Sequence, residues 1–120
     1  MVGKWKSKLE KLEWLVSLVE ANKWQPSHSY RGWLLCCYCT ASFGETGRPY
    51  FHRLSCLSPK YVKKENDYMF DVCLRGVKDK ENIGLLFRAL SEIGVSVRDN
   101  FTTQSFHHYL SSYEFQRGDK

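Results

Sequence analysis

Apolar residues recur at spacings of three and four between residues 4 and 23: Trp5, Leu9, Leu12, Val16 and Val19, with Leu15 widening the stripe. That period predicts an amphipathic helix, its lysines and glutamates (Lys6, Lys8, Glu10, Lys11, Glu13) on the other faces. Pro26, with Ser27 and Ser29, punctuates the chain after Trp24. The next run, Trp33 to Cys39, is apolar at every position and has no period. A buried strand and a buried helix both fit such a run, and its Cys and Tyr content leans toward strand. Gly44-Glu45-Thr46-Gly47 predicts a turn. Tyr50, Phe51, Leu54 and Leu57 predict a helix over 48–57, with Pro49 in its first turn, where a missing N–H costs nothing. A helix over 63–74 turns Phe70, Cys73 and Leu74 inward and has Gly76 just past its end. Asn82 is the expected cap of a helix over 83–93, with Leu86, Phe87, Leu90 and Ile93 inward. Thr102 is the expected cap of a last helix over about 102–117, which carries Phe106, Tyr109, Leu110 and Tyr113 on one face.

Composition narrows the class. The chain has 120 residues, a single-domain length, and its 42% apolar and 15% aromatic content is too rich for a disordered protein. The longest apolar run is seven residues, where a membrane span needs about twenty. The start, Met-Val-Gly-Lys-Trp-Lys, has charge but no apolar signal core behind it, so a cytoplasmic protein without a membrane partner is expected. Five cysteines (Cys36, Cys37, Cys39, Cys56, Cys73) make an odd, clustered set, which fits free buried thiols better than a disulfide framework. The net charge of +5 is unevenly spread: +2 over residues 1–30, +4 over 31–80 and −1 over 81–120. A basic first two-thirds suits a polyanion, and suits a plain solvated surface equally well.

Few side chains are spaced for chemistry. Cys36 and Cys39 form one C-x-x-C pair, but no second pair completes a zinc site, and no βαβ pattern marks a redox pair. No metal or other cofactor is expected. His52 would need an orienting acid to act as base or acid, and the sequence points to none. His107 and His108 are adjacent and so do not share a helix face. Asp67 and Asp71 do share one; an ion-pairing role, with Arg75 four residues beyond Asp71, is the simpler reading than a metal site. The glycines form no phosphate-binding loop.

Residues 33–90 contain a more specific pattern. Trp33 is followed by G-E-x-G-R-x-Y-F-H (Gly44, Glu45, Gly47, Arg48, Tyr50, Phe51, His52) with Ser55, then P-x-Y (Pro59, Tyr61). D-x-x-F-D-x-C-L (Asp67, Phe70, Asp71, Cys73, Leu74) and I-G-x-x-F (Ile83, Gly84, Phe87) complete it. This series resembles the helical C-terminal domain, second type, of archaeo-eukaryotic-type primases from plasmids, phages and mobile elements. Two positions depart from that pattern: Cys36-Cys37 stand where an Ile-Gly is usual, and Leu85 where a Thr is usual.

The resemblance implies an all-α fold, a compact bundle of about five to six helices with a core over residues 9–95 and an extra helix over 102–117. It therefore makes the tryptophan–cysteine run a buried helix, against its local lean. On the same grounds Glu45 is expected to satisfy the N-terminus of the following helix, and Arg48 to pair with Asp67 or Asp71.

The function implied is a non-catalytic module, placed between a primase catalytic core and a helicase, that binds single-stranded or primed DNA. Arg53, Lys60, Lys63, Lys64, Arg75 and Lys78 would contact phosphates and Tyr61 would stack on a base. The competing function is a protein-interaction adaptor for a primase or helicase partner, using the aromatic face of the last helix. Polymerisation by the chain itself is not expected, because it needs clustered metal-binding carboxylates and a His on a sheet.

Overall fold

The computed structural model describes residues 6–78 and 80–97, and within them the chain forms five α-helices and no strand. The first, α1 (Lys8–Asn22), starts at Ser7, whose hydroxyl accepts the Glu10 N–H at 3.1 Å. It ends at Lys23, held in the left-handed region (φ 56°), where the Lys23 and Trp24 amides return to the carbonyls of the last turn. The apolar stripe read from the sequence is its inward face: Leu12, Leu15, Val16 and Val19 are fully buried.

The aperiodic run is a helix, α2 (Tyr30–Ala41), as the resemblance implies and the local pattern does not. Ser29 caps it by accepting the Gly32 N–H at 3.0 Å. The period is missing because α2 is covered on several sides. Three more helices pack on it: α3 (Arg48–Ser55), α4 (Lys63–Gly76) and α5 (Gly84–Glu92). A helix packed on several sides keeps only a narrow solvent face, which here includes Arg31 and Tyr38, and the polar period is lost. Cys36, Cys37, Cys39 and Ala41 are buried in it. Thr40 is tolerated there because its hydroxyl donates to the Cys36 carbonyl at 2.9 Å.

The turn between α2 and α3 is a single 3-10 stretch, Gly44–Gly47. Gly44 takes φ +74°, which a side chain disfavours. Gly47 is fixed by space instead: a methyl group there would overlap the Thr40 carbonyl. The last turn of α2 and the first of α3 therefore touch backbone to backbone.

Three expected boundaries move. Gly76 is the final residue of α4, with Val77 as its cap in extended geometry. The cap position of α5 is Ile83 rather than Asn82. Glu45 lies inside the 3-10 turn and makes no cap hydrogen bond to α3; its carboxylate is drawn to Arg48. The predicted helix over 102–117, with its aromatic face and His107-His108, lies outside the described residues, and so does Trp5. Phe51, Leu54, Phe70, Cys73, Leu86 and Leu90 complete the core. No helix among the described residues is long and apolar enough to cross a membrane.

Candidate functional site

The elements around α4 gather most of the residues that the sequence singled out. Arg48, in the first turn of α3, reaches across to α4. Its guanidinium donates to both Glu45 oxygens at 2.9 and 2.8 Å, to Asp67 at 3.3 Å and to Asp71. It also lies 4.6 Å from the centre of the Phe70 ring. Both expected partners of Arg48 are thus engaged at once, and Glu45 is a third. Asp67 and Asp71 do share a face of α4, one turn apart, and grip an arginine there.

His52, one turn beyond Arg48, has the acid that could not be located from sequence. Its Nε2 lies 2.7 Å from Asp67 Oδ1 and its Nδ1 2.8 Å from the Tyr61 hydroxyl. With Nε2–H donating to the carboxylate, Nδ1 accepts the Tyr61 proton. Lys63 donates to the second Asp67 oxygen at 2.9 Å. Bonds from Lys63 and His52 hold the Asp67 carboxyl well below the usual carboxylate range. The chain Tyr61–His52–Asp67–Arg48–Asp71 links the loop after α3, α3 itself and α4. Every side chain in it has a partner.

Arg53 is placed differently from the other expected phosphate contacts. Its guanidinium faces α1, donating to Glu13 at 2.9 Å and to Glu20 at 2.7 Å, over the Tyr50 ring. The Arg53 bond draws the Glu13 carboxyl down to about 2. Two acids on one arginine leave that patch with no positive charge to offer.

The remaining cations are on the surface. Lys60 donates to the His28 carbonyl at 3.1 Å, a bond that leaves its charge unneutralised. Lys64, Arg75 and Lys78 are exposed, and no carboxylate among the described residues pairs with them. On α4 the positions Lys64, Tyr68, Asp71 and Arg75 follow i, i+4, i+7, i+11 and fall on one outer face. Asp71 is drawn to Arg48, and on that face Lys64 and Arg75, unpaired among the described residues, flank Tyr68, which is 66% exposed. Tyr68 was not singled out from the sequence. Its signal was its spacing: four residues from Lys64, and off the Phe70–Cys73 face.

Beside the N-terminal turn of α4 is a cleft of about 230 Å³. Tyr30, Trp33, Tyr61, Ser55 and Asn66 form its wall, and Lys60 belongs to its lining. Trp33 donates its indole N–H to Asn66 Oδ1 at 3.2 Å. Eight of the quoted motif residues thus fall into two adjoining groups: Glu45, Arg48, His52, Asp67 and Asp71 in the ionic network, and Trp33, Ser55 and Tyr61 at the cleft. Tyr61 belongs to both.

The cysteines gather no ligand set. Cys36, Cys37, Cys39 and Cys73 are buried and Cys56 is exposed. Burial pushes the Cys39 thiol up to about 12 and raises Cys36 well above the ordinary thiol range, so both stay protonated. Among the described residues no three His, Cys, Asp or Glu side chains converge as metal ligands.

No family model, curated protein or solved structure matches the chain.

Proposed function

We propose that the chain is a non-catalytic helical module of DNA replication in a mobile element, working beside a primase and binding single-stranded or primed DNA. The observation that carries the binding is the outer face of α4. Lys64 and Arg75 stand there without carboxylate partners among the described residues, about 16 Å apart along the axis at 1.5 Å per residue, with Tyr68 exposed between them. Two cations flanking an aromatic ring form a common way to hold a phosphate backbone while a base stacks. Lys60 and Lys78 extend the charge beyond both ends of the helix. Arg53 is left out of this surface because Glu13 and Glu20 already satisfy it. The link to primases rests on the motif series and on the pairing of Arg48 with both aspartates of D-x-x-F-D.

Fluorescence anisotropy with a labelled single-stranded oligonucleotide tests the binding. Four phosphate contacts give a log–log salt slope of about −3 for a single strand. The double variant Lys64→Glu, Arg75→Glu is expected to flatten that slope and weaken binding at least tenfold, with the helical circular dichroism unchanged. Absence of binding at 50 mM salt, or an unchanged slope in the double variant, would overturn the reading.

A further inference from the structure

Most polar groups around α4 are paired, and the exceptions fall together. Among the described residues, two buried side-chain atoms have no hydrogen-bond partner: Asn66 Nδ2 and Ser55 Oγ. Each residue is only 2% exposed, and both are in the wall of the cleft beside Tyr30, Trp33 and Tyr61. They come from different helices, Ser55 from the end of α3 and Asn66 from the first turn of α4.

The orientation of Asn66 follows from its neighbour. An indole N–H can only donate, so the Asn66 oxygen must be the atom facing Trp33, and the amide nitrogen with its two protons is left over. A buried donor left unmade is costly, and a structure that keeps one is usually completed by something it binds or by water. The group that completes this one must bring a hydrogen-bond acceptor. The Ser55 hydroxyl beside it can take a donor or an acceptor.

The rest of the wall describes the ligand further. Three aromatic rings border the space: Trp33, Tyr30 with its ring centre 6.0 Å from that of Trp33, and Tyr61, anchored through its hydroxyl on His52. Tyr30 is 67% exposed, so its ring is open to a stacking ligand. A cavity of about 150 Å³ holds a benzene ring, so a cleft of about 230 Å³ suits one heterocycle and is too small for a helix. Lys60 adds one positive charge to the lining and Glu65 one negative charge. An anionic substituent on the ring is therefore matched on the Lys60 side only.

We propose that this cleft receives one unstacked base of a single-stranded nucleic acid, with its phosphate at Lys60 and the Asn66 side chain turning to present its buried amide to the base carbonyl. The inference rests on the nucleic-acid reading above and deepens it, giving the strand a fixed end from which it continues along Lys64, Tyr68 and Arg75. A base with a carbonyl edge, such as thymine, is the best match to a free amide donor.

The experiment uses the full chain, labelled with nitrogen-15, and two oligonucleotides of equal length, one of deoxythymidine and one with abasic sites throughout. Titration with deoxythymidine monophosphate is expected to shift the Trp33 indole and Asn66 side-chain amide resonances. The thymidine oligomer is expected to bind about tenfold more tightly than the abasic one, the usual size of one base–aromatic stack. Tyr30→Ala, at an exposed position that does not hold the core, should remove most of that difference. Lys64→Glu with Arg75→Glu should weaken both oligomers alike. Equal binding of the two oligomers, with the Trp33 and Asn66 resonances unmoved, would overturn the base pocket and leave phosphate binding by α4 standing. Failure of both oligomers to bind would overturn both.

Discussion

The two regions that share Tyr61 are built on opposite principles. On the Arg48 side, one guanidinium, one imidazole and three carboxylates close into a network in which each side chain has a partner. On the Trp33 side, a few ångströms of side chain away, two buried polar atoms are left without partners and an aromatic ring stands in solvent. The first arrangement fixes the angle between α3 and α4; it needs nothing from outside. The second is held in shape by the first, through the Tyr61–His52 bond and the shared helices, and is incomplete by itself. A site is often recognised by such a contrast, an unsatisfied group on a satisfied frame.

The contrast can be broken most severely at its hinge. Gly47→Ala puts a methyl group into the Thr40 carbonyl, so α2 and α3 must separate. A loss of about 3 kcal/mol is expected by urea unfolding, the upper end of the cost of overpacking. Next is Arg48→Ala, which removes the common partner of Glu45, Asp67 and Asp71 and the contact over Phe70. The side chain is partly in solvent, so the expected loss is about 1.5 kcal/mol rather than that of a fully buried pair.

Acidification probes the same network more gently. The Asp67 carboxyl is depressed by Lys63 and His52, so its contribution is complete above the ordinary aspartate range and is lost as the pH falls through its lowered value. Asp67→Asn should therefore lower the denaturation midpoint at pH 7 and shrink the difference between pH 7 and pH 3. An acid limb identical to that of the unsubstituted chain would show that Asp67 does not carry it.

The smallest effect, and the one with the opposite sign, belongs to the cleft. Ser55→Ala deletes a buried hydroxyl that has no partner, and should stabilise the protein by about 0.5 kcal/mol. A loss instead of a gain would mean that the hydroxyl is satisfied in solution, and the contrast between the two regions would disappear.

Several parts of this arrangement were legible in the residues alone. The stripe of α1, the helices around Phe51 and Phe70 and the Gly44–Gly47 corner follow from spacing of types with strong preferences, and the pairing of Arg48 with the aspartates was an expectation of the motif series. The α2 run was not legible by period, because burial on several sides erases the alternation on which such a reading depends. The partner of His52 was also hidden. Asp67 is fifteen residues away, and only the packing of α3 on α4 brings it within 2.7 Å.

What the chain of residues determined by itself was local: where helices start and turn, which faces are apolar, and which charges lie a turn apart. Those properties depend on backbone geometry that repeats every few residues. The fate of each charge was decided by the tertiary structure. Arg53 and Lys64 look alike in sequence, yet packing set two carboxylates of α1 against the first and none of the described ones against the second. The orphaned amide of Asn66 has the same origin. A hydrogen bond forms or fails over a few tenths of an ångström between distant segments, and no spacing along the chain encodes that distance.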